Sequence, residues 1–125
     1  KRLTETNDKQ SLAVTAVQLA ETLGAKGIIV ITRRGLMADY VTNCHPQKTR
    51  IFAFTNDSQT RRRLILNRNL TPYRTAFSSD PEKTLQTAFD VLKERAGLQS
   101  NDKVVVISDV LAGTGIEAIQ IRQLP

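Results

Sequence analysis

Three stretches constrain this chain more than anything else in it: GIIVIT (27–32), RIFAFT (50–55) and KVVVIS (103–108). Each is a short run of β-branched and aromatic residues without the polar alternation of a strand that has one wet face. Such runs read as strands buried on both sides, the condition of a parallel sheet covered by helices above and below. The segments between them carry the helical period instead. Leu12, Ala16, Leu19, Ala20 and Leu23 line one face of a helix over 10–23, which Gly24 stops. Leu36, Met37, Tyr40, Val41 and Cys44 recur at helical spacing up to Pro46, and Leu64 and Ile65 mark a shorter helix after the second run.

The second half of the chain continues the pattern. LTPYRTAF (70–77) is an extended piece that Pro72 confines to a weak or edge strand. SSDPEKTLQTAFDVLKERAG (78–97) is the clearest helix: Ser79 or Asp80 can cap it, Pro81 suits its first turn, and Glu82 complements its dipole. Leu85, Ala88, Phe89 and Leu92 form its buried face, and Gly97 closes it. AIQIRQL (118–124) alternates and reads as a half-buried last strand. Repeated strand–helix units predict an α/β fold, a three-layer α/β/α sandwich with a mostly parallel sheet of about five strands. The last connection is too short for a crossover helix, so the final strand should run antiparallel at an edge. The 125 residues suffice for one domain with its own core, residues 1–9 being an N-terminal extension or linker remnant.

Composition narrows the function classes. No apolar run approaches the roughly 18 to 20 residues of a membrane span. The opening KRLTETNDKQ has no apolar signal core, which reads as a cytoplasmic protein, and its lack of an initiator methionine fits an excised domain. One cysteine (Cys44) beside one histidine (His45) excludes an internal disulfide and argues against a metal site, leaving Cys44 as a helix-end packing residue. The net charge of +6 invites a nucleic-acid partner, but 5% aromatics and no tryptophan leave no stacking platform. Arg61, Arg62 and Arg63 point in three directions from a helix and read as solvated charge.

In an open parallel sheet ligands bind at the carboxyl edge of the strands. Here that edge carries TRRG (32–35), TNDSQ (55–59) and DVLAGTGIE (109–117). The helix after TNDSQ has Asp57 at its start, an internal anion for its free N–H groups. The helix after TRRG has no acid before Asp39, so its first N–H groups, with Gly35, Arg33 and Arg34 beside them, can take an external anion. Thr32 can add a hydroxyl. A plain surface turn is the alternative for TRRG, as a simple chain reversal is for Gly113 and Gly115. Neither loop matches the GxxxxGKS/T phosphate loop, no GxGxxG follows the first strand, and no serine lies in GxSxG. His45 falls at the far end of a helix from TRRG, and Asp109 is a turn-forming residue first. No catalytic residue is assigned.

As a whole the pattern is similar to a known family. AVQLAETLGAKGIIVITRRGLMADYVTNCHPQKTRIFAFTND (16–57) resembles the C-terminal domain of pyruvate kinase: a helix leading into an LxAKAIVVLT strand, a T-x-x-G loop, a helix ending in RP, and an IxAxT strand. DKVVVISDVLAGTGIEAIQIRQL (102–124) looks like the closing GDxVVxxxG…GxTNxxxV segment, so the likeness runs from about residue 10 to 124. The resemblance implies a three-layer unit attached to a catalytic barrel. Phosphoryl transfer from phosphoenolpyruvate to ADP would take place in that barrel, with magnesium and potassium, and no cofactor would sit in this domain. The domain's part would be regulation and assembly: a homotetramer interface through the first helix and last strand, and a site for a sugar-phosphate or other anionic effector. The family's phosphate grip carries over onto Thr32, Arg33, Arg34 and Gly35, with Met37 where many members have serine. Its closing loop carries over onto Gly113, Thr114, Gly115, Ile116 and Glu117. Glu117 places negative charge near the phosphate, and Leu85 stands where some animal members have arginine. With Met37, these departures favour a monophosphate held by Arg33 and Arg34 over fructose 1,6-bisphosphate; the alternatives are a purely structural tetramer-interface domain that binds no effector, or a standalone phosphate-binding module.

Overall fold

The three apolar runs are the central strands of one sheet. The computed structural model describes residues 5–108 and 118–125. In chain order these form α1 (Glu5–Leu23), β1 (Gly27–Ile31), α2 (Leu36–Asn43), β2 (Arg50–Thr55), α3 (Ser58–Leu64), β3 (Leu70–Arg74), α4 (Pro81–Arg95), β4 (Lys103–Ser108) and β5 (Ala118–Gln123). The five strands are ordered β3-β2-β1-β4-β5. β1 pairs in parallel with β2 and β4, β3 pairs in parallel with β2, and β5 runs antiparallel to β4 at the edge, as its short connection requires.

Strand pleating sorts the apolar runs into two cores. Ile28 and Val30 of β1, Ile51 and Ala53 of β2, and Val105 and Ile107 of β4 meet α1, α2 and α3 on one side. Ile29, Ile31, Phe52, Phe54, Val104 and Val106 meet Leu85, Ala88, Phe89 and Leu92 of α4 on the other. Three helices on one face and one on the other follow from handedness. The crossovers β1–α2–β2 and β2–α3–β3 step the same way. α4 then carries the chain back across the opposite face and sets β4 beside β1. The chain thus reverses its strand order between β1 and β4.

The boundaries differ from expectation at two ends. α1 begins at Glu5, so residues 5–9 belong to the first helix and not to a linker. β5 is more exposed than its alternation implied: Ile119 packs on the α1 side, but Ile121 is 52% exposed. An edge strand has one neighbour and only partial helix cover. Long-range polar contacts fasten the ends. The Glu21 carboxylate at the end of α1 accepts from the backbone N–H of Gln47 and Lys48 and from Thr49 Oγ1 at 2.8 Å. The Thr49 hydroxyl above all holds that carboxyl below the usual glutamate range. Arg122 of β5 grips Glu82 with both guanidinium nitrogens, at 2.7 and 2.9 Å, and lies 5.7 Å from the centre of the Phe89 ring.

Candidate functional site: the β1–α2 and β2–α3 corners

The β1 exit is a turn built by its own residues. Thr32 is buried, its N–H donates to Phe54 O at 2.9 Å, and its Oγ1 accepts from Gly35 N at 3.0 Å. The hydroxyl therefore shapes the turn from beneath. Thr55 Oγ1 donates to Arg33 O at 2.9 Å, pinning the loop to the end of β2. Gly35 is the N-cap of α2 in the left-handed region, φ 89°, and supplies no capping side chain. The first N–H groups of α2 have no carbonyl one turn back to accept them. Arg33 and Arg34 are exposed at this point, and among the described residues neither side chain makes a hydrogen bond or ion pair. The Arg33 guanidinium lies 5.8 Å from the centre of the Phe77 ring, a cation–π contact that steadies it.

The β2 exit satisfies itself. Asp57 is the N-cap of α3 in extended conformation, and its Oδ2 accepts from Thr60 N at 3.0 Å and Thr60 Oγ1 at 2.8 Å. The Thr60 hydroxyl first, then its N–H, hold the Asp57 carboxyl below the usual aspartate range, with a smaller contribution from the charge of Arg62.

Arg63 joins the two corners. Its Nη2 donates to Arg34 O at 2.8 Å, and its Nη1 reaches both oxygens of Asp39 at 3.1 and 3.2 Å. A Cβ on Gly35 would lie 2.3 Å from Arg63 Nη2, so residue 35 has two reasons to be glycine: its positive φ and the guanidinium passing over it. Between the corners lies a cleft of about 550 Å³, lined by Arg33, Arg34 and Arg63 with Asn56, Asp57, Gln59 and Thr60.

These positions correct parts of the sequence expectation. Asp39 does lie in the first turn of α2, so that helix start is not free of its own acid; Arg63 takes up the carboxylate. Arg63 was expected to be solvated with Arg61 and Arg62, yet it stands three residues after the capping partner Thr60, on the side of α3 that faces the β1 exit. That phase was the available signal. Met37 is fully buried in the core with α1 and the sheet, so its side chain does not reach the cleft. Leu85 is equally buried, under the opposite face. Asp109 and the closing-loop residues Gly113, Thr114, Gly115, Ile116 and Glu117 lie outside the described residues. Cys44 is the C-cap of α2, packed against the core, with its thiol pushed up by burial. His45 follows it, exposed, at the end of α2 remote from the cleft.

A family model described as "Pyruvate kinase, alpha/beta domain" matches residues 10–121. This chain belongs to the pyruvate kinase alpha/beta-domain family. Pyruvate kinase isozyme A, chloroplastic, of Ricinus communis is 35% identical over 116 residues, 93% of this chain and 19% of the relative. The isozyme of the same name from Nicotiana tabacum is 34% identical over 116 residues, 93% of this chain and 18% of the relative. A solved structure of Cryptosporidium parvum pyruvate kinase in complex with ADP superposes over 100% of this chain and 25% of that one, with TM-score 0.85 and 24% identity. The chain thus spans about a fifth of the pyruvate kinases it matches. At that identity the structural likeness establishes the fold, and it agrees with the three-layer arrangement and antiparallel last strand described above.

Proposed function

We propose that this chain is the regulatory and assembly domain of a pyruvate kinase, and that it binds a phosphate-bearing effector in the cleft at residues 32–35. One observation carries the effector reading. Arg33 and Arg34 stand unpaired among the described residues, beside a helix start without a capping side chain, while the neighbouring helix start is closed by Asp57. Charge-assisted donors next to open N–H groups are what a phosphate needs. In this reading Arg33 and Arg34 make the direct contacts, Gly35 lets the backbone approach, and Thr32 and Arg63 hold the loop. Asp57 limits the ligand to one that keeps its charge on the arginine side.

The catalytic step, phosphoryl transfer from phosphoenolpyruvate to ADP with magnesium and potassium, would belong to a barrel domain of the same protein outside this chain. The effector would act only through unequal affinity for two states of the whole enzyme. Because the chloroplastic enzymes above are among its relatives, we propose a plastid setting in place of the cytoplasmic one expected from the opening residues. Calorimetry with sugar phosphates and nucleoside monophosphates, on wild type and Arg33→Ala/Arg34→Ala, tests the site. Equal affinities, or no binding by either protein, would overturn it.

Assembly without a ligand is the second reading, favoured by a separate observation. Val14 of α1 is 45% exposed, Ile121 of β5 is 52% exposed, and β5 is an edge strand. An exposed apolar side chain on α1 and a free strand edge suit pairing with a second copy across a two-fold axis. Sedimentation should show a dimer or larger species; a strict monomer at high concentration contradicts it.

A further inference from the structure

The opposite edge of the sheet carries a second concentration of positive charge that the effector cleft does not use. A groove of about 530 Å³ runs along β3, lined by Arg61 and Arg62 of α3, Arg74 of β3 and Arg95 at the end of α4, with Ser58 and Tyr73. The arginines come from both helical layers and from the strand between them. None of the lining residues is acidic, and among the described residues none of the four guanidinium groups makes a hydrogen bond or ion pair with a carboxylate, Arg62 acting on Asp57 only through its charge. Arg62, Arg74 and Arg95 are exposed, and Arg61 is half-buried. Four like charges around one hollow repel one another when it is empty.

The backbone of β3 tells against a strand as occupant. Thr75 N donates to Thr55 O at 2.9 Å on the β2 side. By the two-residue period of a strand, residues 72 and 74 turn their backbone groups to the free edge. Pro72 has no N–H to offer there, so an added strand would lose a bond at its centre. Side chains are left to do the binding, and those side chains are arginines. The Tyr73 ring is itself fixed, stacked on Phe54 at 5.1 Å between centroids.

We infer that this β3-edge groove is a second anion site, taking a small molecule with two or more phosphate groups. One phosphate would occupy only part of a groove whose charges come from α3, β3 and α4, whereas a bisphosphate or a nucleoside polyphosphate can engage several guanidinium groups at once. The site is independent of the cleft at residues 32–35, on the other side of α3. Charge placed merely to guard a sheet edge would show no preference for such ligands.

Calorimetric titration at low ionic strength with inorganic pyrophosphate provides the test. It would be run on wild type, Arg33→Ala/Arg34→Ala, Arg61→Gln/Arg74→Gln, Arg62→Gln/Arg95→Gln and the exposed control Arg68→Gln. Binding should survive in the Arg33/Arg34 variant and in Arg68→Gln, and weaken about tenfold or more in each groove variant. Fructose 1,6-bisphosphate and ADP in parallel arms separate a sugar from a nucleotide source. Orthophosphate should bind more weakly than any of them. Absence of pyrophosphate binding overturns the proposal. So does an equal loss in Arg68→Gln, or retention in both groove variants. Binding of polyglutamate in place of every phosphate compound would assign the groove to an acidic protein surface and overturn it as well.

Discussion

The two corners at the carboxyl edge of the sheet are built from the same plan and finished differently. Each follows a buried strand, each opens a short helix, and each is held from below by a threonine at the strand end, Thr32 for the first and Thr55 for the second. At the β2–α3 corner, Asp57 supplies the negative charge that the helix start attracts. At the β1–α2 corner, Gly35 supplies nothing, and the acid that the sequence does provide, Asp39, is diverted to Arg63. The closed corner lends its helix to brace the open one. In the proposed reading, an anion site arises by leaving one N-cap empty while a neighbour keeps the local carboxylate occupied.

The comparison can be broken most severely from beneath. Met37→Ala removes a fully buried side chain under the open corner and should cost about 2–5 kcal/mol in chemical denaturation. A change near zero would show that α2 is held by its loop and not by its core face. Gly35→Ala should come next. It imposes a Cβ at positive φ and 2.3 Å from Arg63 Nη2, for a loss of about 1–3 kcal/mol together with weakened phosphate binding. Retained stability would mean that Arg63 moves aside freely. Arg63→Gln should leave the fold intact and lower the proposed phosphate affinity by about threefold to tenfold, because it releases the Arg34 carbonyl and Asp39 without removing either arginine proposed to touch the ligand. An unchanged affinity would separate the brace from the site.

The smallest effect lies at the closed corner and depends on pH. The folded Asp57 carboxyl titrates below its unfolded value. Its contribution is fully present above the ordinary aspartate range and is lost as pH falls through the lowered folded value. Asp57→Asn should flatten the acid limb of the stability curve slightly, since asparagine can still cap. An acid limb identical to wild type would show that Thr60 is held by other means.

Much of this was readable in one dimension, and the reason is periodicity. Buried strands such as GIIVI and KVVVI, the capped and proline-started helix at 81–95, and Pro72 at an edge are local consequences of backbone geometry and solvent, and each stands in the structure where its residues imply. The corner residues Arg33, Arg34 and Gly35 were equally visible, because a glycine and two arginines after a buried strand are a local pattern. Arg63 and the fate of Asp39 were not. Their pairing spans 24 residues and exists only because parallel pairing of β1 with β2 sets α2 beside α3. Met37 was misplaced for a related reason. Its position two residues after the loop glycine said that it was near the corner, whereas the side of α2 that meets the sheet decided that its side chain goes into the core.

The sequence by itself determined the layers, the parallel direction of the early strands and the antiparallel last strand, since these follow from local propensity, hydrophobic period and connection length. The tertiary structure alone decided which charges remain free. Whether an arginine is available depends on the carboxylates and carbonyls that packing brings within about 3 Å of it. That is why Arg63 became a brace while Arg33 and Arg34, on the same edge, stayed open among the described residues.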